Sequence, residues 1–160
     1  MLPTYNRFRS AHRDTFSSMK KSSHAEQIGT KEERRDPHAP IAIVDDEESI
    51  RTALKSLLKS LGFRVEGFAS AEDFLHSDHL RDTTCLILDV QMPGTGGLEL
   101  QRQLAVADWR IPIIFISAHR DEAARAQALQ AGAVDFLFKP FSEEALLTAV
   151  HAALAAAGCF

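Results

Sequence analysis

Four consecutive apolar residues, Cys85-Leu86-Ile87-Leu88, run directly into Asp89. A strand with one wet face alternates apolar and polar residues, whereas an unbroken apolar run this short reads as a strand buried on both faces of a parallel sheet. Beyond Asp89, Met92-Pro93-Gly94 and the pair Gly96-Gly97 interrupt regular structure before a helical pattern begins. Asp89 therefore stands where the chain leaves the carboxyl end of a buried strand, the end at which open α/β sheets hold their ligands. The plainer alternative is a loop carboxylate that only caps the next turn.

The rest of the chain repeats this unit. Residues 41–44 form a second unbroken apolar run, ending in Asp45-Asp46. Ile50, Ala53, Leu54, Leu57, Leu58 and Leu61 then recur at helical spacing, and Gly62 ends that helix. Residues 63–68 alternate as a strand, and Ser70 is placed to cap a short helix through Phe74 and Leu75. A helix is expected over 98–106, a strand over 111–116 with Pro112 near its start, and a helix over 121–131 stopped by Gly132. A strand over 134–138 and a helix capped by Ser142 and running to about residue 156 complete the series. Five strands alternating with five helices imply parallel βαβ units with right-handed crossovers. The expected architecture is a doubly wound (βα)5, flavodoxin-like three-layer sandwich with strand order 2-1-3-4-5.

Composition narrows what such a fold can be for. At 160 residues and 45% hydrophobic, the chain suits one globular domain with a real core. Cys85 and Cys159 supply neither a disulfide framework nor metal-ligand spacing, which favours a reducing, cytoplasmic setting. No apolar run approaches the length of a membrane span. Residues 1–39 hold eight Lys/Arg against five Asp/Glu, while residues 40–160 hold ten against seventeen. The first segment has no hydrophobic periodicity and reads as a disordered, basic polar tail, without the apolar stretch of a secretory signal. The domain is expected over residues 40–156, with 157–160 as its end. A net charge of -4 leans away from nucleic acid as the main partner.

In the expected strand order, Asp45, Asp46, Asp89, Ser117 and Lys139 all fall at strand ends on one edge of the sheet. Three converging carboxylates repel one another unless a cation offsets them. Oxygen donors without His or Cys suit Mg²⁺, which binds through few carboxylates and keeps waters for phosphate. His24, His38, His76, His79 and His151 show no ligand spacing. Lys139 adds a point charge for a phosphoryl oxygen and Ser117 a hydroxyl donor. Together they are equipped to receive a phosphoryl group on a carboxylate.

Four motifs in order, Val44-Asp-Asp-Glu-Glu48, Leu88-Asp-Val-Gln-Met-Pro-Gly94, Ile116-Ser-Ala118 and Gly132-Ala-Val-Asp-Phe-Leu-Phe-Lys-Pro-Phe141, resemble a response-regulator receiver domain of two-component signalling. The local wording is similar to receivers of the nitrogen-fixation and nodulation regulators, which normally carry a helix-turn-helix output domain. The resemblance implies Asp89 as phosphoacceptor and Asp45 and Asp46 as the metal-binding pair, Asp46 directly and Asp45 mainly through a metal-bound water. It further implies Asp89 and the Gln91 backbone carbonyl as metal ligands, with Mg²⁺ as cofactor. Ser117 would be the switch hydroxyl, Phe136 the switch aromatic, Lys139 the family's lysine, and Lys139-Pro140 a cis peptide. His119, expected on an exposed loop, and Gln91 occupy positions that in receivers tune phosphoryl loss.

The partners implied are a sensor histidine kinase or a histidine phosphotransferase. A phosphorylation-dependent homodimer or a downstream protein partner would read a face made by helix four, strand five and helix five. Leu129 is the only large apolar residue with which helix four could be anchored. No DNA-binding domain, membrane contact or enzymatic action on an external metabolite is expected of the chain, and stand-alone receiver and fragment of a DNA-binding regulator both stay open. A pseudo-receiver that binds partners without being phosphorylated is the alternative, and retention of all five polar residues argues against it. A dehalogenase-type phosphatase would want Asp-x-Asp where Asp89-Val-Gln91 stands, and a dinucleotide-binding enzyme a Gly-rich turn where Asp45-Asp-Glu-Glu48 stands. The same acidic turn would repel a flavin phosphate.

Overall fold

The computed structural model describes residues 39–158. The expected tail over 1–39, apart from Ala39, lies outside the described residues, as do Cys159 and Phe160. Strands β1 (Ile41–Val44), β2 (Val65–Phe68), β3 (Cys85–Asp89), β4 (Ile113–Ser117) and β5 (Asp135–Phe138) alternate with helices α1 (Glu48–Ser60), α2 (Ala71–Leu75), α3 (Gly97–Val106), α4 (Glu122–Gln130) and α5 (Glu143–Ala156). All strand pairs are parallel and the sheet order is β2-β1-β3-β4-β5. This is the doubly wound, flavodoxin-like order read from the alternation of elements.

Each strand sends successive side chains to opposite faces, so two cores form. Ala42, Val44, Leu86, Leu88 and Phe115 pack with Phe74, Leu100, Leu104, Ala124 and Ala128 under α2, α3 and α4. Ile41, Ile43, Ile87, Ile114 and Ile116 pack on the other face with Leu54, Leu58, Leu146 and Val150 of α1 and α5. The central strands β1, β3 and β4 are buried along their whole length, which is why their sequences never alternate.

Helix ends follow local chemistry. Ser70, Asp121 and Ser142 accept the amides of Asp73, Ala124 and Ala145 at 3.0 Å. Behind α1, Gly62 at φ +92° donates to the Lys59 carbonyl and Phe63 to that of Leu58, closing the turn by the paired bonds of a Schellman motif. Gly132 at φ +102° does the same behind α4, through bonds to Leu129 and from Ala133 to Ala128. Asp108 at φ +62° takes that role behind α3, where no glycine marks the end.

Three expectations need correction. The second strand begins at Val65 rather than Phe63, because the Phe63 amide is already spent on the Leu58 carbonyl. The fourth begins at Ile113 rather than Ile111; the Pro112 carbonyl accepts from Leu86, but proline has no N–H to continue the ladder. Leu129 is only half-buried, and α4 is seated instead on Ala124 and Ala128.

Candidate functional site

The parallel register sets the site. Val44 pairs with Leu88 and Asp89 with Ile116, so β1 and β3 release their chains side by side. Asp45, the residue after β1, is wholly buried, while Asp46 is exposed. Asp89 closes β3 at 5% exposure. Oxygens of these three carboxylates lie within 4.8 Å of one another.

Two of the carboxylates are held by short turns. Asp45 Oδ1 accepts the Glu47 amide at 2.9 Å, and Asp89 Oδ1 accepts the Gln91 amide at 3.3 Å. The turn-capping chemistry weighed for Asp89 is thus present, but it engages only one oxygen edge. The N-cap of α1 is Glu47, without a side-chain bond, so the Asp45-Asp46 pair does not serve as helix cap.

Lys139 arrives from the end of β5, whose residue Phe138 pairs with Ser117. Its Nζ donates to Asp45 Oδ2 at 3.1 Å and lies 4.0 Å from Asp89 Oδ1 and 3.9 Å from Glu47 Oε1. Only 13% of its side chain is exposed, so the ammonium acts where solvent screens little. Even so, burial of Asp89, followed by repulsion from Asp45, pushes its carboxyl up to about 6 from 3.8. Lys139 and the Gln91 amide pull the other way, and Asp46 adds to the rise. One ammonium among three carboxylates leaves the site short of positive charge.

The remaining expected residues take distinct places. The Ser117 hydroxyl donates to the His119 carbonyl at 3.0 Å and accepts the His119 amide at 3.1 Å, so it is engaged within its own turn. His119 is exposed. Phe136 is buried, its ring centroid 5.8 Å from that of Phe115 and 5.4 Å from that of Phe138. The Lys139-Pro140 peptide is cis.

Other residues shape the site without having been singled out. Arg51 reaches back from α1 and donates from Nη1 to the Asp45 carbonyl at 2.7 Å. Gly97 opens α3 directly behind the site; a Cβ there would run into the Asp89 carbonyl oxygen and sit 3.0 Å from Val90 Cα. The Gly96-Gly97 pair was a sequence signal for close backbone approach as well as for a chain break. Glu72 and Thr95 meet across 23 positions, which no local pattern announces.

The donor set fits a hard divalent cation. Three carboxylate oxygens within 4.8 Å of one another, with no His or Cys among them, are the donors that such an ion takes. Asp45, Asp46 and Asp89 would hold such an ion, and their mutual repulsion is what it would relieve.

The family model for the response regulator receiver domain matches residues 41–151. The chain is 47% identical over 128 residues to the response regulator protein TmoT of Ectopseudomonas mendocina, covering 80% of this chain and 58% of that protein. It is 45% identical over 115 residues to nodulation protein W of Bradyrhizobium diazoefficiens, covering 72% of this chain and 51% of the other. The crystal structure of FixJ-N superposes with a TM-score of 0.66 at 38% identity, over 72% of this chain and 93% of that one. The chain spans about half the length of the curated relatives it matches.

Proposed function

The chain belongs to the response-regulator receiver family, a phosphoacceptor module of two-component signalling, and on that premise we propose that Asp89 is the residue that receives the phosphoryl group. The observation that carries this is the meeting of Asp89, Asp45, Asp46 and Lys139 at one edge of the sheet, with Asp89 nearly buried and short of positive charge. An Asp89 oxygen forms the new O–P bond as the donor's P–N bond breaks, and the departing imidazole keeps the electron pair and takes a proton. A carboxylate raised to about 6 is still mostly ionised at neutral pH and can act as the nucleophile. Lys139 can exchange its bond to Asp45 for a phosphoryl oxygen, and Ser117 can leave the His119 turn to donate to another. Mg²⁺, held by Asp45, Asp46, Asp89 and the Gln91 carbonyl, would supply the missing positive charge on the transferring group.

The donor in this reading is a sensor histidine kinase or histidine phosphotransferase. The chain supplies groups for its own phosphorylation and does not turn over an external metabolite. The unit is taken as residues 40–156. A cytoplasmic setting accords with a two-component relay, and no described helix is long and apolar enough to cross a membrane. The face of α4, β5 and α5 is the proposed readout, toward a second copy or a downstream protein.

Intact mass after incubation with acetyl phosphate and Mg²⁺ should show one added phosphate, lost in Asp89→Asn. An unmodified parent chain would instead favour a partner-binding module that is not phosphorylated.

A further inference from the structure

The loop from Val90 to Gly97 leaves the phosphoacceptor and carries Gln91. Its base is closed by the Gly97 amide donating to the Val90 carbonyl at 2.9 Å, and the Val90 amide ties it to the Ile116 carbonyl of β4 at 3.0 Å. Its far end is fastened to a different element. The Thr95 hydroxyl, on a residue 7% exposed, donates to Glu72 Oε2 at 2.6 Å. A hydroxyl–carboxylate bond of that length is charge-assisted. Stripped of its acceptor, a hydroxyl buried there would keep its desolvation cost.

Glu72 is a fixed point. It stands in the first turn of α2, whose Ala71, Phe74 and Leu75 are buried in the core and whose N-terminus is capped by Ser70. Gly94, at φ +76°, lies close beside the same carboxylate: a Cβ on it would come within 3.8 Å of Oε2. The Thr95 hydroxyl bond lowers the Glu72 carboxyl from its ordinary value. A valine at 95 would fill the same volume and serve packing equally well, so what threonine adds here is the bond.

We propose that Glu72 is a positioning residue for the phosphoacceptor site, gripping Thr95 so that the loop after Asp89 presents the Gln91 carbonyl in metal-binding geometry. This rests on the reading of Asp89 and Gln91 as metal ligands. The bond acts at a distance from the metal, through the loop backbone, and so differs from the ligands themselves.

Mn²⁺ binding, followed by loss of the free-ion EPR signal, tests it alongside acetyl phosphate uptake. Glu72→Ala should weaken Mn²⁺ binding by about tenfold, the low end for outer-shell partners of metal ligands, and Thr95→Val, which leaves the backbone-amide bond to Glu72, by less. The double variant should bind no worse than Glu72→Ala alone, because that change already removes both the hydroxyl and the backbone-amide bonds from Thr95. Thr95→Ser keeps the hydroxyl donor and Glu72→Gln a neutral acceptor, so each should lie closer to the parent than Thr95→Val or Glu72→Ala does. Parent-like Mn²⁺ affinity in Glu72→Ala, or additive losses in the double variant, would reduce the pair to a structural fastening and overturn the proposal. A parent chain that binds Mn²⁺ with this pattern of variants but takes no phosphate would overturn the phosphoacceptor reading and leave the clamp standing.

Discussion

Asp89 carries a charge in a place that disfavours it: nearly buried, beside Asp45, with one ammonium shared between them. Its carboxyl ionises at about 6 in the fold against 3.8 ordinarily. Between those values the folded chain binds the proton that the unfolded chain has released, so stability falls as pH rises through that window and the penalty is complete above it. Asn has the same shape and no charge at any pH. In metal-free buffer Asp89→Asn should therefore melt several degrees above the parent at pH 7.5, with the difference shrinking toward zero at pH 4; about 4 °C per kcal/mol is the scale for a domain of this size. A pH-independent difference in melting temperature would refute the electrostatic account. Asp45, Asp89 and Lys139 could be placed from sequence because each ends an apolar run, and strand ends collect chemistry. Arg51 could not: its partner is a backbone carbonyl, and every residue has one.

Among the elements, α1 and α4 differ most in how they are held. Leu54 and Leu58 seat α1, while Ala124 and Ala128 seat α4. Three carbons fewer at each of two positions amount to roughly 5 kcal/mol less burial for α4. What α4 has in compensation is at its far end, where the buried Gln101 side chain donates to the Ala128 carbonyl at 3.0 Å. Its near end, after Ser117 and His119, is held by the Asp121 cap and by Arg120 stacked 4.9 Å above the Phe138 ring. A small charge event at Asp89 can bias an element held this loosely. Amides of α4 should exchange faster than those of α1, and fastest in its first turn. Beryllofluoride with Mg²⁺ should change protection across residues 117–141; unchanged exchange there with changes elsewhere would sink the α4-β5-α5 readout. The amphipathic spacing of α1 was plain in the sequence. The seat of α4 was not, since alanine is common on exposed and buried helix faces alike and only packing tells them apart.

The whole domain bears the cost of its site. Three carboxylates gathered within 4.8 Å are a strain that the two-sided core must offset. A divalent ion that binds this arrangement and not the unfolded chain should stabilise the fold, by about 2.7 kcal/mol at 100 times its dissociation constant. Thermal melts with Mg²⁺ should show that gain in the parent and lose most of it in Asp46→Ala, whose exposed side chain the core does not need. A parent melt indifferent to Mg²⁺ would count against the acidic site.

By itself the sequence determined the alternation of elements, the parallel sheet and the candidate residues at its edge. Those follow from hydrophobic period, helix caps and glycine stops, all of which act over a few neighbours. The unbroken runs at 41–44 and 85–88 read as strands covered on both faces, and both are. The tertiary structure decided what depends on distance across the chain: that Lys139 leans on Asp45 more closely than on Asp89, that Ser117 is engaged with His119, and that Glu72 holds Thr95. It also decided that Asp45 is wholly buried while its neighbour Asp46 is exposed. Adjacent residues of one type carry no label for inside and outside where a strand ends and its alternation stops, and only the packing around the turn assigns them.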